Sequence, residues 1–445
     1  MRGFRSTFVL LAILLGLLGY IYFYEMKRPS PAEQAVQKAK VFTVEADKIE
    51  EVQVKTAAGE RTVLKKTNGV WGIVEPVATK ADENEATGLV TNLASLEIQR
   101  VIDETPADVG QYGLASPRVE VAFKKAGQAE PARLFIGDKT ATGGEIYARL
   151  PSEKRVFLIS SFLDTTFNKS TFDLRDKTIL ALDRDKVDAV EIVSKDQRLA
   201  FAKTGERWTL TNAIGTRLDS TQVDGVVGRL QNLAMKSIVA AEVSDPDLAK
   251  YGLDKPALTV AIGAGSARTV LALGKADEAG NLYARDLSKR AVVTVEATLA
   301  DELKKKADDY RPKEVFEFRS FNATRLEITR GASAVAFERV TGKDGAPKWQ
   351  RLNPSKDVAA MEIDGLLAAV SALTVEQYVD AKTRTGADTP VAIVVARFED
   401  GKKEERVVFG KVGKDVFAVR AGEPGAARVD GTKFDDTMKL IDSVK

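Results

Sequence analysis

The sequence predicts an α+β protein: an N-terminal transmembrane helix followed by three homologous domains, each a largely antiparallel sheet with about two packed helices. Three observations predict it. An uncharged apolar run begins at Phe8 and ends at Tyr24. The only three tryptophans, Trp71, Trp208 and Trp349, stand 137 and 141 residues apart. A second marker, Phe135-Ile136-Gly137, Ala272-Leu273-Gly274 and Val408-Phe409-Gly410, recurs at intervals of 137 and 136. A period this long is a whole domain, not a solenoid unit. The expected organisation is a signal anchor at 1–28, a linker at 29–40, and repeats at 41–178, 179–314 and 315–445.

The anchor comes first. At about 1.5 Å per residue the apolar run spans roughly 26 Å as a helix, just short of a hydrocarbon core of about 30 Å. Tyr20, Tyr22 and Tyr24 cluster at one end, as interfacial aromatics do. No small-residue cleavage site follows the run, which favours an uncleaved anchor over a removed signal peptide. Arg2 and Arg5 precede the run, while Glu25 partly offsets Lys27 and Arg28 after it. This balance expects a single pass with the N-terminus cytoplasmic and the repeats outside, in the periplasm of a bacterial inner membrane. Residues 30–40 read as a polar linker.

Each repeat then opens as an antiparallel meander. Ile49, Val52 and Val54 belong to a run that alternates with period two, as do Val187 to Ile192 in the second repeat and Leu326-Glu327-Ile328 in the third. A second strand and the tryptophan strand follow, with hairpin turns at Asn68-Gly69 and Lys343-Asp344-Gly345. A helix comes next. Ala86, Leu89, Val90, Leu93 and Leu96 fall on one face. The same stripe is Val223, Val226, Val227, Leu230 and Leu233, then Ile363, Leu366, Leu367, Val370 and Leu373. Asp82 caps the first helix, and Ser220 or Thr221 the second. One-sided helices beside meanders mean helix on sheet.

A connector follows the helix: Tyr112-Gly113-Leu114-Ala115-Ser116-Pro117, Tyr251-Gly252-Leu253-Asp254-Lys255-Pro256, and Thr385-Gly386-Ala387-Asp388-Thr389-Pro390. The glycine is expected to end a short helical turn at positive φ, and the proline to start a strand. Four more strands and a closing amphipathic segment complete about seven strands and two main helices per repeat. No Gly/Ser-rich linker separates the repeats, so the joints are short and the chain a semi-rigid rod.

Composition narrows the chemistry. The 445 residues carry 66 basic and 64 acidic side chains, which leaves no broad basic footprint for nucleic acid. There is no Cys, which removes thiol nucleophiles, disulfides, thiolate metal sites and a lipid-anchor cysteine. There is no His, which removes the commonest general base and zinc ligand. Carboxylate pairs, Ser-Lys dyads and oxygen-ligated Mg²⁺ or Ca²⁺ sites survive that exclusion. Acidic groups stand at Asp103, Glu104 and Asp108, at Glu242, Asp245 and Asp247, and at Asp435-Asp436. They lack a calcium-loop pattern and read as caps or solvated faces. No P-loop, dinucleotide turn or correctly spaced Ser-x-x-Lys is present, so no catalytic residue, cofactor or metal is assigned.

Two features remain as interaction candidates. The tryptophans could form a carbohydrate platform, although a tryptophan beside aliphatic strand residues reads more simply as a core anchor. Tyr147-Ala148-Arg149 and Tyr283-Ala284-Arg285 could present an arginine to an anion, with Tyr147, Arg149, Tyr283 and Arg285 on one strand face. In the third repeat Phe417 keeps the aromatic while Arg420 moves by one.

The tryptophan strand, the Tyr-Gly-Leu-x-x-Pro connector, the Leu-Arg-Asp-Lys junction at Leu174, Arg175, Asp176 and Lys177, and the anchor together resemble a bacterial family known as domain of unknown function 4340. The resemblance covers residues 41–445, and the third repeat departs from it at Thr385. Members of that family are often encoded beside ABC transporters of the gliding-motility type. The resemblance therefore implies extracytoplasmic work beside such a transporter, with an ABC transporter permease or envelope protein as partner. The expected function is a membrane-anchored scaffold or adaptor. The alternative is an envelope glycan- or lipid-binding module with one weak site per repeat, and a carboxylate-dependent hydrolase stands behind both.

Overall fold

The computed structural model describes residues 39–212, 215–342 and 345–444. The apolar run at 8–24 lies outside them. Among the described residues no helix is long and apolar enough to cross a membrane. The chain forms two compact units, Met1–Lys177 and Thr178–Lys445. The first holds one antiparallel sheet and the second holds two.

In the first unit the strands are β1 (Ile49–Lys55), β2 (Arg61–Thr67), β3 (Val70–Glu75), β4 (Thr79–Lys80), β5 (Arg100–Asp103), β6 (Val119–Lys125), β7 (Ala132–Lys139), β8 (Glu145–Arg149) and β9 (Val156–Ser160). They lie in the order β4-β3-β2-β1-β6-β7-β8-β9-β5. Helix α1 (Glu83–Ala94) separates β4 from β5, so it links the two edges of the sheet. Two short helices, α2 (Leu163–Phe167) and α3 (Thr171–Leu174), close the repeat.

The second unit repeats the plan twice. Its first sheet has β10 (Ala189–Ser194), β11 (Arg198–Thr204), β12 (Arg207–Leu210), β13 (Ser237–Ala240), β14 (Leu258–Ala264), β15 (Ala267–Ala276), β16 (Leu282–Asp286) and β17 (Val292–Val295), with α4 (Ser220–Gln231) and α5 (Thr298–Leu303). Its second has β18 (Ala323–Arg330), β19 (Ser333–Thr341), β20 (Pro347–Arg351), β21 (Lys356–Asp357), β22 (Val375–Val379), β23 (Ala392–Phe398), β24 (Lys403–Val412), β25 (Asp415–Arg420) and β26 (Ala426–Val429), with α6 (Ala360–Ser371) and α7 (Gly431–Ser443). The sheets thus carry nine, eight and nine strands, not about seven. The extra strands are short edges. β5 and β13 are four residues long with no fully buried residue, and β4 and β21 are two residues long, so none shows an apolar alternation.

The helix stripes pack as their spacing requires. Every stripe residue of α1, α4 and α6, and the leucine after each, is buried. In the first repeat Leu89 and Leu93 share a core with Trp71, Val52, Val121 and Ile136. In the second, Val223 and Leu230 share one with Trp208, Val190 and Val260. In the third, Leu366 and Val370 do so with Trp349, Leu326 and Val394. The Asp82 carboxylate accepts the N–H groups of Asn84 and Glu85 at 2.9 and 3.1 Å and caps α1 as expected. The cap of α4 is Asp219, which accepts from Thr221 at 3.0 Å, and not Ser220 or Thr221. Ser220 is one residue inside the helix, where its hydroxyl takes the Trp208 N–H at 3.1 Å. The Glu83 carboxylate serves Trp71 in the same way at 2.7 Å.

The end of a repeat is tied back to its own helix start. Asp82 N–H donates to the Leu174 carbonyl at 2.9 Å, and Asp219 N–H to the Tyr310 carbonyl at 2.8 Å. The sequence motif at Leu174-Arg175 and its counterpart Tyr310-Arg311 therefore mark a closure.

Candidate functional site

The connector explains the glycine markers. Gly113, Gly252 and Gly386 have φ of 68°, 68° and 69°, the left-handed region in which a side chain is strained. Each lets the connector double back across the face of the sheet opposite the helix. There it meets the second marker. A Cβ on Gly137, Gly274 or Gly410 would stand 2.1, 2.1 or 2.2 Å from the carbonyl oxygen of Tyr112, Tyr251 or Thr385. Two glycines far apart in sequence are thus one close backbone approach. In the second repeat Val243, Leu248, Leu253, Ala272 and Val292 form a small second core beneath the connector.

The four candidate residues sit in this clasp. The ring of Tyr147 packs on Tyr112 with centroids 5.0 Å apart, and Tyr283 on Tyr251 at the same distance. Arg285 donates from Nε to the Lys289 carbonyl at 2.8 Å and approaches Asp245 at 4.0 Å. Arg149 lies over the Phe135 ring at 5.8 Å. Each arginine is engaged by its own repeat. Among the acidic groups, Asp103 accepts from Thr105 N–H, Asp108 from Gly110 N–H, and Asp247 from the Ser244 hydroxyl and Lys250. Among the described residues no acidic cluster has the form of a metal site. Trp71, Trp208 and Trp349 are 3, 3 and 8% exposed, so an exposed aromatic platform is overturned. Burial of the indole is the cheaper placement for so much apolar area.

The richest polar constellation was not singled out in the sequence. It joins the second and third repeats inside the unit Thr178–Lys445. The Glu423 carboxylate takes Arg217 at 3.0 Å, Arg311 at 3.0 Å and Arg420 at 3.1 Å. Glu405, 1% exposed in its side chain, accepts the N–H groups of Glu317 and Phe318 at 3.0 and 2.9 Å and also pairs with Arg420. Arg217 donates to the carbonyls of Glu314 and Val315, both at 3.1 Å. Arg311 stacks 3.4 Å from the Tyr378 ring centroid, and Tyr378 donates to the Pro312 carbonyl at 2.7 Å. Burial raises the Tyr378 phenol above its usual range, against the opposing pull of Arg311 and Arg217. The Glu317 carboxylate adds contacts to Arg217 at 3.7 Å and Arg420 at 3.6 Å, so the buried guanidinium charge is compensated by carboxylates. The signal available in sequence was Arg311 in the junction and the displaced Arg420. Their partners lie 112 and 15 residues away.

Beside this network runs a cleft of about 1060 Å³. One wall is β12 and the loop after it, and the other includes Phe316, Glu317, Arg319 and Lys403. Its cations are paired: Arg207 with Glu317, Arg319 with Glu314, Lys403 with Glu399. The arrangement can hold an extended polar chain.

A family model described as a domain of unknown function, DUF4340, matches residues 71–209 and 208–391. No curated protein matches the chain. Among solved structures, a DNA polymerase sliding clamp from Pseudomonas aeruginosa aligns at 7% identity over 88% of this chain and 93% of that one, with a TM-score of 0.18. A likeness that loose carries no argument.

Proposed function

The chain belongs to the family of domain of unknown function 4340, and from that premise we propose that it is a membrane-anchored extracytoplasmic scaffold or adaptor, an accessory component of an ABC-transporter or envelope assembly. The apolar run at 8–24 is the anchor in this reading, and the repeats stand on the periplasmic side of a bacterial inner membrane.

One observation carries the reading. The residues kept in all three repeats are spent on packing: the buried tryptophan, the helix stripe, and the paired glycines of the connector. Arg285 is held by a hydrogen bond within its own repeat, and Arg217, Arg311 and Glu423 are held in the joint between the second and third repeats. A shared fold with differing surfaces suits a scaffold that presents different faces to protein partners. An envelope glycan or lipid module would want an aromatic platform common to the repeats, and the tryptophans do not supply one.

The test is co-purification. A tagged full-length chain, extracted from membranes in mild detergent, is expected to bring down a permease or envelope protein in constant ratio. Recovery of the chain alone, at every detergent tried, would sink the proposal.

A further inference from the structure

The second and third repeats share no hydrophobic core. Among the described residues, the cluster around Trp208 draws all its members from 179–310, and the cluster around Trp349 draws its own from 315–444. No helix or strand of one repeat packs broadly on a helix or strand of the other. The chain passes between them through Arg311, Pro312, Lys313 and Glu314. Domains joined by a polar interface move against one another unless something holds them. Here the holding is done by charge.

Glu423 stands at the centre of that charge. It follows β25 in the third repeat, and its side chain is only 10% exposed. Its carboxylate reaches Arg217 and Arg311 of the second repeat at 3.0 Å each, and Arg420 of its own repeat at 3.1 Å. A second tie is looser. Glu317, 30% exposed, stands 3.5 Å from Arg207 and 3.7 Å from Arg217. The remaining crossing is Tyr378, which carries Arg311 on its ring and donates to the Pro312 carbonyl. Buried ion pairs repay their desolvation only while their geometry is kept, so they favour one pose over its neighbours. Taking away the Glu423 charge leaves Arg217, Arg311 and Arg420 gathered about a point with nothing negative in it, and like charges repel. The cleft of about 1060 Å³ has Arg207 and Ser220 on one side and Phe316 and Lys403 on the other. It therefore lies between the same two bodies, and their joint sets its width.

We propose that Glu423 locks a hinge between the second and third repeats. With its carboxylate in place the two repeats hold one pose. Without it they swing about the link 311–314, each with its own sheet and core intact, and the cleft opens and closes with them. Hinges of this kind need only a few link residues to absorb the motion. The device belongs to the fold and does not depend on the adaptor reading.

The chain has no cysteine, so paired cysteine substitutions carry spin labels at chosen positions alone. Lys255→Cys with Lys414→Cys spans the joint. Lys255→Cys with Ser266→Cys lies across β14 in the second repeat, and Lys402→Cys with Lys414→Cys across β24 in the third, all at exposed loop positions. Distance distributions are read by pulsed dipolar spectroscopy on the full-length protein in detergent. The distribution across the joint is expected to be narrow in the otherwise unchanged chain. In Glu423→Gln it is expected to widen at least about twofold, as a released hinge samples many angles, while both distances within a repeat keep their width. Glu191→Gln removes a carboxylate paired with Arg198 and Arg268 on the second sheet, away from the joint, and is expected to leave all three distributions unchanged. A joint distribution already broad before Glu423 is replaced, or equally narrow afterwards, overturns the proposal. Widening within a repeat in Glu423→Gln also overturns it, since the repeats would then not be separate bodies. Widening across the joint by Glu191→Gln overturns it as well, because the effect would then belong to charge loss in general.

Discussion

Gly274→Ala isolates the connector clasp. Gly274 lies within β15 at an ordinary negative φ, so the substitution adds no backbone strain of its own. The new methyl would sit 2.1 Å from the Tyr251 carbonyl oxygen and 3.2 Å from Leu253 Cγ, where separations under 3.0 Å are essentially never seen. The obstacle is backbone, so the connector must lift. Lifting it loosens Tyr251 from Tyr283 and exposes part of Leu248 and Leu253. Overpacking of this kind costs about 1–3 kcal/mol. Partial exposure of two leucines adds about 1 kcal/mol, as full burial of one stabilises by roughly 1.5–3 kcal/mol. A total of about 3 kcal/mol lowers Tm by roughly 6–12 °C for a domain of this size. Scanning calorimetry measures it, with Gly225→Ala as the control. Gly225 lies in α4 with nothing within 4 Å of its Cβ direction, so alanine there is expected to stabilise by about 0.8 kcal/mol through helix propensity. If Gly274→Ala melts at or above the wild-type temperature, the connector does not cross the sheet where it is described.

Three further outcomes follow from the same structure. Glu423→Gln leaves Arg217, Arg311 and Arg420 around a neutral amide and is expected to cost about 3 kcal/mol in the unit Thr178–Lys445, read by denaturant unfolding; an unchanged midpoint would deny the network its role. Burial pushes the Tyr310 phenol up to about 12, with Asp309 and Glu302 adding to it, so between the ordinary phenol value of 10.0 and about 12 the unfolded chain loses this proton and the folded chain keeps it. Stability should fall as pH rises through that window, and the fall should be smaller in Tyr310→Phe, whose missing hydroxyl had no hydrogen-bond partner. Hydrogen bonds from Lys236 and then Arg229 hold Glu296 down at about 2, so its contribution is present above 4.5 and lost as pH falls toward about 2; an acid titration of stability that is identical in Glu296→Gln would contradict this.

The fold was legible in sequence wherever one residue type met one geometric demand. The helix stripes read correctly because a 3.6-residue period survives in Leu89, Leu93 and their counterparts, and all of them are buried. Gly113 and Gly252 read correctly because a positive φ selects glycine. Gly137 was visible as a repeat marker, yet its reason was not, because the carbonyl it makes room for belongs to Tyr112. The short edge strands were missed because β4 and β21 are held by neighbouring strands and not by an apolar face of their own. The Arg–Glu joint was missed for a related cause. Charged residues read as solvated faces in sequence, and only long-range packing turns Arg311 and Glu423 into a buried pair. The rings of Tyr147 and Tyr283 pack on Tyr112 and Tyr251 in the clasp, contacts that strand alternation alone did not reveal.

The central claim is that the repeats keep a scaffold whose work is done through protein contact. In-cell crosslinking of the tagged full-length chain, followed by mapping of the linked residues, tests it most directly. The account predicts that one envelope or transporter protein dominates the captured material, with its linked positions gathered on a continuous face of the repeats. Links scattered evenly over unrelated proteins, or none at all while the chain is folded and present in the membrane fraction, would contradict it.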